Sequence, residues 1–211
     1  MAAAATPLRA VLRGEAVSVR ACVALALAGG ALHGWALGAS SGQPLLALAS
    51  ALKVPLLLLC SCAVTLPNFY VLHAVLGLAG DFRAACRGLW AAQAALAIAL
   101  GALAPLVVFA FASSGDGYFL TLADGFLFAV AAAAGQVVLS RHFAPLIKKD
   151  RRHRITLISW AVLYVFFAIQ LAWVLRPFLG TPGYPVEFLR PNALEGNAWV
   201  VLIRHFARMG R

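Results

Sequence analysis

From Ile155 to Leu175 the chain runs 21 residues without one charge. Comparable apolar runs occupy 21–39, 54–79, 89–112 and 119–140, the last interrupted only by Asp124. An α-helix rising about 1.5 Å per residue crosses a hydrocarbon layer about 30 Å thick in roughly 20 residues. Inside lipid a helix satisfies its own backbone groups, so runs of this length form spans. The expectation is an all-α polytopic transmembrane bundle of about five spans. A soluble fold is excluded, because 63% of the residues are hydrophobic, 11% are charged and the mean hydropathy is +0.90. Soluble domains carry about 25% charge.

The formal charge of +10 raises the question of nucleic acid. The basic residues, however, gather between the apolar runs rather than forming a binding face, and no nucleic-acid partner is expected. Arg9, Arg13, Arg20, Arg83, Arg87, Arg141, Lys148, Lys149, Arg151, Arg152 and Arg154 all fall at one end of the five-span layout, whereas the short loops 40–52 and 113–118 have no Lys or Arg. By the positive-inside rule, the N-terminus is cytoplasmic and the C-terminus extracytoplasmic. Fourteen Arg against three Lys, with abundant Ala, suggest a bacterial chain and its inner membrane. Trp90 and Trp160 fall at inner span ends, and Trp35, Trp173 and Tyr118 at outer ends, as an aromatic belt would require.

Three segments follow from this layout. Residues 1–20 form a cytoplasmic amphipathic segment, with Leu8, Val11 and Leu12 on one face and Arg9 and Arg13 on another. Residues 21–175 form the five-span bundle, in which Lys53 separates a surface lead-in from a span over 54–79. Small residues near Gly38 and Ala39 also admit a signal-peptide cleavage site, but the first run is long and broken by Gly29, Gly30 and His33, which favours an uncleaved span. Residues 176–211 form an extracytoplasmic strap. Pro177, Pro182, Pro185 and Pro191 stop the fifth helix, and Gly180 and Gly183 permit turns. Beyond Asn197, an N-cap candidate, NAWVVLIRHFARMGR puts Trp199, Leu202, Ile203 and Phe206 on one face of an interfacial helix, with Arg204, Arg208 and Arg211 on another.

Asp124 is the most informative single residue, because an ionised carboxylate within a span is costly without a partner. Lys53 starts at similar depth from the same end and is the expected partner, with Arg176 second. This contact reads as a structural lock or as a step in an ion path. His33 reads as an interhelical hydrogen bond or a proton relay. Gly30, Gly34 and Gly38, four apart, make a helix-packing seam, either between copies of the chain or within it. Asn68, Gln93, Gln136 and Gln170 are expected to bond between helices. Cys22, Cys60, Cys62 and Cys86 read as small apolar residues, with no disulfide framework or metal set. Lys148, Lys149, Arg151, Arg152 and Arg154 form a positive anchor able to meet anionic lipid head groups.

Catalytic signals are sparse. Gly38-Ala39-Ser40-Ser41-Gly42 matches G-x-S-x-G in letters, but it leaves a helix rather than a strand. No phosphate-binding glycine loop, H-E-x-x-H or paired intramembrane aspartates occur. No cofactor or metal is expected. The leading expectation is a non-enzymatic membrane subunit, self-associating or bound to another membrane protein, enclosing an ion pathway. The alternative is an intramembrane or lipid-modifying enzyme centred on Asp124, His33 and Ser40-Ser41.

The segment Lys53-Val-Pro-Leu-Leu-Leu-Leu59, followed by Leu66-Pro67, Tyr70 and Gly77, resembles a group of bacterial five-span proteins familiar from cyanobacteria. Leu175-Arg-Pro-Phe-Leu-Gly-Thr-Pro-Gly183 with Glu195-Gly-Asn197 resembles the ending of the same group. In layout the chain is also similar to the Yip family of trafficking proteins. These resemblances imply a shared fold and carry over no catalytic or ligand residues.

Overall fold

The computed structural model describes residues 5–13, 15, 17–39, 42–114, 116–176, 178, 186–190 and 193–200. Among them there are α-helices and one short 3-10 turn, and no strand. A short helix α1 (Ala5–Arg13) precedes five long ones: α2 (Val19–Ala39), α3 (Pro44–Val75), α4 (Phe82–Ser113), α5 (Gly117–Lys149) and α6 (His153–Leu175). All five are long and apolar enough to cross a membrane. The chain is an all-α helical bundle and has the makings of a multi-pass membrane protein. Its two ends are called here the basic end, at the α5–α6 turn, and the strap end, where α6 finishes.

Several helices outrun their apolar runs. Lys53 does not break the second long helix: α3 starts with Pro44 in its first turn and continues through Lys53, Pro55 and Pro67. Proline at a first helical position loses no intrahelical bond, which suits Pro44 as the start. The helix stops by a Schellman motif. Gly77 takes φ +72°, with Gly77 N–H on the Ala74 carbonyl and Leu78 N–H on the His73 carbonyl. Likewise α4 begins at Phe82 and carries Arg83 and Arg87, while α5 runs through Pro145 to Lys149. Ala, Arg, Leu and Lys are good helix formers, so nothing stops the helix where the apolar run ends.

The glycine seam packs inside the chain. A Cβ on Gly34 would overlap the Ser50 carbonyl, one on Gly38 would strike the Ala47 backbone, and one on Gly30 would press on Pro55. On a neighbouring face of α2, a Cβ on Gly29 would overlap the Ala97 carbonyl of α4. Small residues therefore let α2 wedge between α3 and α4 at backbone contact. That surface is spent within one chain, the second of the two readings of Gly30, Gly34 and Gly38.

A second core lies towards the basic end, where Cys62, Phe69, Leu89, Leu139, Phe143 and Trp160 join α3, α4, α5 and α6. Trp160 is buried there and stacks on Tyr164, so it belongs to the core and not to an aromatic belt. The Tyr164 hydroxyl donates to Gln93 Oε1 at 3.0 Å, one of the expected interhelical bonds. Cys22 and Cys62 are buried, Cys60 and Cys86 half-buried, and all four are free thiols. Val11 of α1 is buried beside Cys22, Ala91 and Val138, with Arg9 and Arg13 exposed.

Candidate functional site

The first histidine of the chain, His33, lies six residues from the end of α2, about 9 Å along the helix. Asp124 lies seven residues into α5, at a similar distance from the same end. Because α2 is wedged tightly, the His33 ring is fully buried and faces α4 and α5. Its Nε2 lies 3.0 Å from Asp124 Oδ1, and its Nδ1 lies 3.1 Å from the Leu100 carbonyl oxygen. Phe128, one turn beyond Asp124, sets its ring edge-to-face on the imidazole at 5.3 Å. The sequence reading pairs Asp124 with Lys53 or Arg176; the structure pairs it with His33.

The partners assign the protons. A carbonyl oxygen only accepts, so Nδ1 carries a hydrogen and donates it to Leu100. The Nε2–Oδ1 contact then needs one more hydrogen, since a bare nitrogen facing a carboxylate would set lone pair against lone pair. With the hydrogen on nitrogen, the pair is imidazolium and carboxylate. With it on oxygen, both groups are neutral. In both forms the site has zero net charge, the state that a low-dielectric interior favours. Asp124 is not sealed: its side chain is 20% exposed. It borders a cavity of about 10 Å³ with Val107, Phe111, Leu120 and Leu127, room for about one water.

Lys53 sits elsewhere. It is buried nine residues into α3, where Nζ donates to the Glu187 carbonyl at 3.3 Å and lies over the rings of Phe178 and Phe188. Its neighbour one turn back, Ser50, donates to the Phe178 carbonyl at 2.9 Å. Phe178 packs on Leu37, Val107 and Leu127, close to the cavity at Asp124. The described part of the strap is thus pinned by α3 and caps the buried pair. Arg176 stacks on Trp173. Gln170 Oε1 accepts from Ala198 N–H, and Asn197 Oδ1 accepts from Trp199 N–H, so the helical residues 198–200 start against α6 with Asn197 as their cap. The serines at 40 and 41, the four strap prolines with Gly180 and Gly183, and residues 201–211 lie outside the described residues.

A second histidine–aspartate contact stands at the basic end. His153 Nε2 lies 3.2 Å from Asp81 Oδ2, and Lys149 Nζ bonds both Asp81 oxygens at 2.7 and 2.8 Å. Arg152 holds Asp150 and donates to the Leu76 carbonyl. Two of the five cations expected to meet lipid head groups therefore have partners within the chain. His73, whose ring centroid is 5.8 Å from that of His153, donates from Nδ1 to the Phe69 carbonyl.

No family model, curated protein or solved structure matches this chain. The functional reading therefore rests on the residues themselves.

Sequence reasoning singled out both His33 and Asp124 but did not join them. Equal depth below one end of the bundle was the available signal. The third member, the Leu100 carbonyl, is backbone and leaves no trace in residue identity.

Proposed function

We propose that this protein is an integral membrane subunit without catalytic chemistry, in which His33 and Asp124 bind and release one proton as part of a proton pathway. The observation that carries this reading is the bracketing of the His33 ring by two acceptors, which leaves one hydrogen to be shared at Nε2–Oδ1. Groups that share a proton in lipid, with a small cavity alongside, suit uptake and release better than a permanent ion pair would.

The same bracketing weighs against the enzyme alternative. A histidine that activates a serine uses one nitrogen for the acid and the other for the hydroxyl. Here Leu100 occupies the second nitrogen. The cavity beside Asp124 holds about one water, so a continuous route needs a further surface. Only 22% of the most apolar stretch of α5 is buried within one chain, and a second copy or a membrane partner against it would complete the path. The basic end faces the cytoplasm of a bacterial inner membrane in this reading, in keeping with its eleven Lys and Arg.

The test is proton flux into liposomes containing the purified protein, followed by an internal pH dye after an imposed gradient. The wild type is expected to conduct, Asp124→Asn to lose most of the flux, and Lys149→Met to keep it. Flux equal in wild type and Asp124→Asn, or none above empty liposomes, overturns the proposal.

A further inference from the structure

At the strap end, the buried N–H donors without an acceptor among the described residues include Arg176 Nε, Arg190 Nε, Arg190 Nη2 and Trp173 Nε1. Unsatisfied donors on this scale are rare, because each costs free energy comparable to a lost hydrogen bond. Both arginines remain cations at any physiological pH. They are close enough that, after burial, the Arg190 charge helps push the Arg176 guanidinium down to about 10. Trp173 lies under Arg176, ring against guanidinium. Among the described residues, neither arginine has a carboxylate partner, although Glu187 and Glu195 are near in sequence. Like charges held together without an acceptor repel each other, so the arrangement calls for an anion.

We infer that Arg176, Arg190 and the Trp173 N–H form a binding site for a phosphate-type oxyanion where the strap leaves α6. Guanidinium forks match phosphate oxygens in geometry, and a tryptophan N–H supplies a directed neutral donor. A span ending at Leu175 would put this position at the level of phospholipid head groups. A free phosphate ion would offer the same oxygens. This site is separate from the lysine and arginine cluster at the opposite end and does not depend on the proton reading of His33 and Asp124.

The experiment uses full-length, delipidated protein in neutral detergent and follows thermal unfolding as ligand is added. The arms are phosphatidylglycerol, phosphatidylcholine and inorganic phosphate. Binding to the folded form raises the unfolding temperature in proportion to affinity. Saturable stabilisation by phosphatidylglycerol above phosphatidylcholine, weakened roughly tenfold or more in apparent Kd by Arg176→Gln or Arg190→Gln, supports a lipid head group. The same loss seen with phosphate, without preference among the lipids, supports a free oxyanion at the same donors. Trp173→Phe keeps an aromatic ring near Arg176 while removing the N–H, so it reads the site even if an arginine variant misfolds; a smaller, severalfold weakening is expected. Stabilisation unchanged by Trp173→Phe and by whichever arginine variants fold, or no stabilisation in any arm, overturns the inference.

Discussion

His33–Asp124 and His153–Asp81 stand at opposite ends of the bundle and share their burial: each histidine is 0% and each aspartate 20% exposed. They differ in how charge is cancelled. At the basic end Lys149 neutralises Asp81, so His153 needs only one ring hydrogen, the one it donates from Nε2. At the strap end no lysine or arginine reaches Asp124 among the described residues, and the Leu100 carbonyl claims Nδ1. There the cancelling charge is a proton. A fixed cation makes a clamp, whereas a proton makes a site that can exchange with water. Identical residue pairs thus take different roles according to their third neighbour.

The largest expected effect comes from Asp124→Leu. It leaves His33 Nε2 buried without a partner and is expected to cost about 1–3 kcal/mol, read from unfolding in detergent. Asp81→Leu unpairs the buried His153 Nε2 in the same way, while Lys149, 66% exposed, takes water in place of Asp81, so a loss of similar size is expected. A loss at only one of the two ends would break the comparison. Asp124→Asn sharpens it: the amide can donate to Nε2 of the neutral ring, so stability should stay within about 1 kcal/mol while the exchangeable proton is lost. Infrared spectra across a pH series would then lack the carboxyl signal of the wild type.

Lys149→Met removes the fixed cation and asks the basic end to behave like the strap end. Lys149 is the first cause holding the Asp81 carboxyl below its usual value, so the variant should lose less stability than wild type or Asp124→Asn as pH falls through the carboxylate range. Equal slopes in the three proteins would show that Lys149 does not supply the cancelling charge. The smallest effect is expected at Asp150, whose side-chain and backbone bonds from Arg152 hold its carboxyl down at about 2. A depressed carboxylate stabilises the fold above its unfolded value of 3.8 and loses that contribution as pH falls through about 2. Between pH 4 and pH 2 the wild type should therefore lose slightly more stability than Asp150→Asn.

The five spans were legible because charge-free runs leave a chain few options in or out of lipid. Their ends were less so, since Arg83, Arg87, Lys148 and Lys149 continue helices that water tolerates. The cost of burying Asp124 was legible, but its partner was not. Lys53 looked like the start of a span; in the structure it lies nine residues into α3, and its carbonyl partner Glu187 comes 134 residues later. That contact depends on the strap folding back over the bundle, which no local pattern encodes. The glycine spacing on α2 did announce close packing. Only the Ser50, Ala47 and Pro55 backbone shows that the neighbour is α3 of the same chain.

Nitrogen-15 NMR of the His33 ring in the full protein in a lipid bilayer tests the central assignment most directly. The expected spectrum at neutral pH has hydrogen on Nδ1, with a second hydrogen on Nε2 or shared with Asp124. A ring protonated at Nε2 alone, with bare Nδ1 towards Leu100 and Asp124 ionised, would contradict it.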